Sequence, residues 1–435
     1  MCKFLKTLSL LTVATLLSST AFAADIKVTS YDVQKLPLET VEFKGGKKIA
    51  LDVGIGSGAV HFKNDPENVF YTITDRGANI KCSDAEEILG QDADAMCAGD
   101  EKSKIFPTPD FAPLIIKWEL DGSQAKVLEQ IALTGLSGKP MSGLTNGLTI
   151  TNTEKSYSNL GELIDYTANG LDTEGLVKLT NGNFWISEEY GGSIALLAPN
   201  GKVLERHVPK GMAKDLAGAD YKVVESLPAI IAKRKLNRGI ESLTISADES
   251  TLYFAMQSPL SNPNADAYKT SRNVRIFAFN IADQKVVGEY LYLLDKPETF
   301  VKDFAKKKRK QNDIKISEMI VLADEKMLVL ERISSTTKYY LIDLAAATKI
   351  DAKFDDIATT PSLELTDPTT LSPMTKELVF NSDDLKGLPS KTEGIAMLND
   401  HELLLVNDND FGIDGKAVSM VKLTFPTKVI DYRSK

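Results

Sequence analysis

Residues 171–190, L-D-T-E-G-L-V-K-L-T-N-G-N-F-W-I-S-E-E-Y, carry the pattern from which the rest of the chain is read. Leu176, Lys178 and Thr180 alternate with Val177 and Leu179, the period of a strand that shows different sides to core and solvent. Asn181-Gly182 follows, a pair that tolerates the positive φ angles of a tight hairpin. A second strand-like run, 184–188, then ends in carboxylates. Opposite ends of two antiparallel strands meet at one edge, so Glu174 at the start and Glu188 at the finish are expected side by side.

Degraded copies of this hairpin recur. Glu174-Gly175-Leu176 is echoed by Glu241-Ser242-Leu243, Glu318-Met319-Ile320 and Glu393-Gly394-Ile395, at successive separations of 67, 77 and 75 residues. Each Glu opens a hairpin, and the second strand ends in Glu188-Glu189, Gln257-Ser258, Glu331-Arg332 or Asn407-Asp408-Asn409-Asp410. An earlier unit, residues 57–76, has the same layout without the leading Glu and ends in Asp75-Arg76. The intervening segments are short, apolar or alternating, and bounded by Gly, Asn, Asp or Pro, whereas helical periodicity is confined to patches such as 227–235. Units of this size with several strands each predict an all-β chain folded as a β-propeller. Five units are visible; residues 28–51 and the last strand, 418–425, are expected to complete a sixth blade and join the chain ends.

Residues 1–23 stand outside the pattern. Lys3 and Lys6 precede an apolar core, residues 8–17, and Ala21-Phe22-Ala23 offers small residues for cleavage, which together read as a secretory signal peptide. The expected division is a signal at 1–23 and a single propeller domain at 24–435, exported to the periplasm. No apolar stretch reaches the roughly 20 residues of a membrane span. Loss of Lys3 and Lys6 moves the formal charge from −9 to −11. Such acidity argues against general binding to nucleic acid or anionic membrane. The basic run 306–310 reads as a solvated face. Cys82 and Cys97, the two cysteines beyond the signal, are expected to pair as a disulfide in an oxidising compartment.

If the blades surround a channel, the repeated acids converge at its mouth. Crowded carboxylates raise one another's pKa unless a cation neutralises them. Carboxylate, amide and carbonyl oxygens suit Ca²⁺ first and Mg²⁺ second; His61, His207 and His401 have no zinc-like spacing. The expected metal ligands are Glu174, Glu188, Glu241, Glu318, Glu393 and Asp408, with Glu174, Glu241 and Glu393 as catalytic residues. Cations sit close by in sequence: Arg76 after Asp75, Arg238 before Glu241, Arg332 after Glu331 and Lys391 before Glu393. Arg76, Arg238 and Arg332 are expected to hold phosphate, since guanidinium forks match its oxygens. A metal that activates water, with Arg bearing the developing charge, suits a phosphoester. The competing reading is that these acids cap strand edges and pair with the same cations. No G-x-S-x-G elbow occurs, and Gly138-Lys139 runs into Pro140 instead of a P-loop.

The strings D-T-E-G-L with S-E-E-Y-G (172–176, 187–191), R-G-I-E-S-L (238–243), T-D-R-G (74–77) and T-E-G-I with N-D-N-D-F-G (392–395, 407–412) resemble the phytase-like family, described by an esterase-like activity of phytase. The resemblance spans roughly Gly54 to Gly412. It implies a secreted propeller and, by kinship with calcium-dependent phytases, a Ca²⁺-dependent hydrolase of phosphoric esters. Two departures bear on the ligand set: the third unit ends in Met256-Gln257-Ser258, and Glu318 precedes Met319 where other units have a small residue. Two further readings stay open, a non-catalytic propeller that binds a ligand or protein around structural calcium, and a lactonase-like metal propeller that opens an ester ring. The expected partner is a small-molecule phosphoester or other ester, met by a monomer.

Overall fold

The computed structural model describes residues 25–148 and 153–433; the signal segment expected at 1–23 lies outside them. Four hairpins begin at the repeated motif, and in each the sheet then adds strands outward. Blade 2 runs Thr173–Lys178, Phe184–Glu188, Ser193–Leu197 and Val203–Pro209, with Lys222–Leu227 added in parallel at its rim. Blade 3 runs Ile240–Ile245, Thr251–Met256, Asn273–Asn280 and Lys285–Leu293. Blade 4 runs Lys315–Ala323, Lys326–Arg332, Thr337–Asp343 and Lys376–Asn381. Blade 1, from the unit that lacks the leading Glu, runs Gly58–Val60, Val69–Ile73, Leu114–Asp121 and Gln124–Ala132. Blade 5 takes Thr392–Asn399, Glu402–Asn407 and Met420–Thr424 from the C-terminal unit, and its fourth strand, Lys27–Val33, from the other end of the chain. The first strand of each blade touches that of the next, and the last touches the first, closing the ring of a β-propeller.

Among the described residues the ring has five blades, so the expected sixth does not form. The C-terminal unit supplies only three strands, and the N-terminal strand completes that sheet rather than starting another, with register from Lys27 opposite Thr424 to Tyr31 opposite Met420. Among the described residues the other strands assigned to the sixth blade, Pro37–Glu42 and Lys48–Asp52, pair only with each other.

Buried aromatic and branched residues fill the space between blades; Trp185, Phe254, Phe277 and Phe279 belong to one such layer. Toward the axis the inner strands come too close for side chains. A Cβ on Gly175 would lie 2.5 Å from the Leu243 nitrogen, and one on Gly58 would lie 2.3 Å from the Glu174 carbonyl oxygen. At Gly58 and Gly175 the lack of a Cβ is therefore a packing requirement of the ring.

One mouth carries an added structure. Ile80–Lys81, Lys104–Phe106, Ser156–Ser158 and Leu163–Ile164 form a separate four-stranded sheet, built from the excursion within blade 1 and the link to blade 2. A disulfide joins Cys82 to Cys97, Cα atoms 6.1 Å apart, within this insert. The helical patch expected at 227–235 is the short 3-10 helix Ala229–Lys233, preceded by Pro228. Among the described residues no helix is long and apolar enough to cross a membrane.

Candidate metal and anion site at the channel mouth

A shift of pairing near the start of each inner strand of blades 2 to 5 builds the site. The register steps by one residue between Thr173 and Leu176, Ile240 and Ser242, Ile316 and Glu318, and Thr392 and Gly394. Such a bulge re-aims a side chain out of the ladder. It falls on Glu174-Gly175, Glu241, Ser317 and Glu393. Glu174, Glu241 and Glu393 line a cavity of about 590 Å³ at the mouth beneath the insert. Glu318 lies one position later, and one position turns a strand residue to the other face. It is 2% exposed, accepts a hydrogen bond from the Met319 N–H at 3.0 Å, and does not line the cavity.

The second strands show the same one-residue distinction. Glu188, Met256, Glu331 and Asn407 pair with the inner strands at Thr173, Ile240, Ile316 and Thr392. The residues that follow them, Glu189, Gln257, Arg332 and Asp408, line the cavity together with Asp75 of blade 1. Glu188, expected as a metal ligand, instead turns into the protein, pairs with Arg206 at 2.9 Å and accepts from Asn146, Asp172, Gly191 and Ser193. Its lone pairs are taken.

The acidic half of the cavity comes from blades 1 to 3. Carboxylate oxygens of Asp75, Asp172 and Glu174 lie within 4.8 Å of one another, and so do those of Glu174, Glu189 and Glu241, with Glu174 common to both groups. Burial, and then the neighbouring negative charges, push the carboxyls of Asp75, Glu174 and Glu189 well above their usual range. The Gln257 amide nitrogen donates to Glu189 at 2.5 Å and also to Glu241, while its oxygen is buried without a partner. The carboxylate oxygens fit a hard divalent cation, and Gln257 would add its own unpartnered oxygen by turning the amide that presents nitrogen to them. Glu174, Glu189, Glu241 and Gln257 are the residues that could hold one.

The basic half comes from blades 3 to 5. Arg332 is 3% exposed; its Nε donates to Ser317 at 2.5 Å, Nη1 donates to the Ile333 carbonyl, and Nη2 pairs with Glu393. Lys315 lies 3.9 Å from the same carboxylate, and burial with the adjacent Arg332 and Arg238 brings its ammonium down to about 7. Arg238 is partly exposed and donates to Ser258 at 3.1 Å. Burial and Asp410 push Asp408 up to about 6, against the opposing pull of Lys391. Arg76, expected to hold phosphate, has a fork already occupied. It donates to the Gly143 carbonyl at 3.0 Å, Glu154 at 2.8 Å and Asp172 at 3.3 Å, and its guanidinium sits by the rings of Phe106 and Tyr190. Arg76 anchors Asp172 and the insert.

Asp75, Asp172, Glu189, Gln257 and Lys315 also line the mouth, beyond the set expected from sequence. The S-E-E string already contained Glu189, and D-T-E contained Asp172, but neither string shows which acid faces inward. Lys315 had no sequence signal.

The geometry can be set beside known proteins. A family model described as "Phytase-like: Esterase-like activity of phytase" matches residues 53–411. A curated protein of Arthroderma benhamiae, described as an "Uncharacterized secreted protein", is 26% identical over 197 residues, 39% of this chain and 38% of that protein. The chain thus matches about two fifths of its relative's length. A luciferin-regenerating enzyme aligns over 93% of this chain and 97% of its own at 11% identity and a TM-score of 0.36. A PQQ-bound aldose sugar dehydrogenase of Streptomyces coelicolor aligns over 93% and 99% at 10% identity and a TM-score of 0.31. A virginiamycin B lyase of Staphylococcus aureus aligns over 92% and 100% at 12% identity and a TM-score of 0.32. Likenesses this slight carry no chemistry across.

Proposed function

This chain belongs to the phytase-like family, and we propose that it is an ester hydrolase that acts on phosphoric esters at the mixed-charge mouth, with Ca²⁺, or Mg²⁺ in its place, among the acids. The family description, an esterase-like activity, supports the broader part of this reading. The buried carboxylates from three blades, drawn together at the mouth beside the Gln257 amide, carry the metal part. Glu174, Glu189, Glu241 and Gln257 would hold the cation, with Asp75 and Asp172 adjoining. A bound divalent cation supplies Lewis acidity toward an ester oxygen and neutralises the clustered acids.

The chain's own groups then divide the work. Arg238 orients the anionic end of the ester, while Arg332 and Lys315, both held by Glu393, act from behind it as fixed positive charge toward the developing oxyanion, because preorganised charges in a water-poor site act more strongly than solvent does. Glu393, gripped by Arg332 and Lys315, keeps those two cations in place. Glu174 and Glu189 hold protons while the acids are unneutralised and release them as a cation enters. Ser317 sets the plane of the Arg332 fork by accepting from its Nε. The secreted relative and the signal-like residues 1–23 support export, for which we favour the periplasm.

The test is a calorimetric Ca²⁺ titration of the chelator-stripped chain and of Glu174→Gln, followed by a panel of phosphomonoesters, carboxylic esters and lactones. Binding that the substitution weakens roughly tenfold or more, together with cation-dependent phosphoester turnover, is the expected result. Cation binding without any product would favour a non-catalytic binding propeller, and turnover of lactones alone a lactonase. Absence of binding would leave the acids as structural pairs.

A further inference from the structure

The detached hairpin offers a second site. In strand Pro37–Glu42 and its continuation, the Phe43 N–H donates inward to the Lys47 carbonyl at 2.8 Å. Backbone groups alternate in direction along an antiparallel pair, so those of Thr40 and Glu42 point to the outer edge. There Asn159 supplies the first rung of a ladder: its side-chain nitrogen donates to the Glu42 carbonyl at 2.8 Å, and its own carbonyl accepts from the Lys44 N–H at 3.0 Å. Past that rung, the Thr40 N–H and carbonyl and the Glu42 N–H have no partner among the described residues.

This edge borders a cavity of about 1070 Å³, lined by every residue from Leu38 to Gly46. Alternate strand residues point to opposite faces, so an unbroken lining run means that the edge itself faces the cavity. Facing it is the run 107–112, in which Pro107, Pro109, Phe111 and Ala112 are interleaved with Thr108 and Asp110. The two prolines have no N–H to offer, so that side combines apolar rings with the Asp110 carboxylate. Glu39 and Asp110 flank the cavity, both exposed and both without an ion pair among the described residues. An unpaired edge, apolar rings and two free carboxylates call for an extended chain with apolar and basic residues in alternation.

We propose that the edge of strand Pro37–Glu42 captures an extended basic and apolar peptide segment of another protein, which adds as a third strand in line with Asn159. The contact is independent of the channel-mouth chemistry.

The probe is an end-capped, fluorescein-labelled Lys-Val-Lys-Val-Lys-Val-Lys peptide, titrated against the full chain by anisotropy. Its counterpart N-methylated at alternate backbone positions cannot donate to the edge. Thr40→Pro removes the outward N–H and leaves the inward pairing intact, since proline is tolerated on an edge strand. Saturable binding is expected, weakened roughly tenfold or more by N-methylation, by Thr40→Pro and by Glu39→Lys. Equal binding of the N-methylated peptide overturns the proposal even if Thr40→Pro fails to fold. So does the absence of binding up to about 1 mM, or a concentration-dependent dimer that Thr40→Pro abolishes, which would put a second copy in the groove.

Discussion

Glu188 and Glu189 are sequence neighbours with opposite surroundings. Glu188→Gln removes the charge that Arg206 is buried against, and breaking one half of a buried pair costs about 3–5 kcal/mol. Denaturant unfolding should register that loss, with cation affinity of the folded fraction unchanged. Glu189→Gln should do the reverse, relieving repulsion in the acid cluster, raising the midpoint of the chelator-stripped chain and weakening Ca²⁺. The pH dependence follows from the same residues. Asp75, Glu174 and Glu189 have folded pKa values raised above their unfolded ones, so their contribution to cation-free stability is full below the unfolded values and is lost as pH rises through the folded ones. For Asp408 the loss falls between 3.8 and about 6. Glu174→Gln, compared with wild type in chelator, should therefore gain midpoint as pH rises. A cation competes with those protons, so calorimetry should show Ca²⁺ affinity falling as the solution is acidified.

Two elements decide how the site is held. The inner-strand bulge aims Glu174, Glu241 and Glu393 at the mouth, and the small residue beside Glu174 lets the blades close. Gly175→Ala sets a Cβ against the Leu243 backbone, which cannot yield as a flexible side chain would. A loss of about 1–3 kcal/mol is expected from such overpacking, visible as a lower urea midpoint. The other element is the insert, whose Lys81, Asp84 and Ile88 line the cavity next to the Cys82–Cys97 bridge. The bridge closes a separation of 15 residues, and a loop of that size is worth about 3 kcal/mol in the chain-entropy account. Replacing both cysteines with Ser should speed proteolysis within 82–97 while the blades stay resistant, which limited digestion read by mass spectrometry would show.

At the scale of the whole molecule, the ends of the chain share one sheet. Lys27–Val33 completes blade 5 and then runs parallel to Gln124–Ala132 of blade 1 at Asp32 and Val33. A chain that begins after Val33 would leave blade 5 with an unpaired outer edge and remove that bridge between blades. Calorimetry should find a lower and broader transition than that of the intact chain, because the ring could then open from one seam.

The sequence alone determined the strand content, the hairpins and the propeller, since each is written in local patterns: period-two alternation, Asn-Gly turns and a repeat of Glu followed by a small residue. It also brought Glu174, Glu241, Glu393, Asp408, Arg238 and Arg332 to one mouth, because those residues recur at matching places in the repeat. It misplaced Glu188 and Glu318 because a single step of register, fixed by pairing between strands, turns a side chain from cavity to core. The blade count depended on which sheet the N-terminal strand joined, a contact between residues nearly four hundred positions apart that no local pattern records. Gln257 and Lys315 likewise have meaning only through the blades packed beside them, because burial and the charge of distant neighbours are properties of the folded ring.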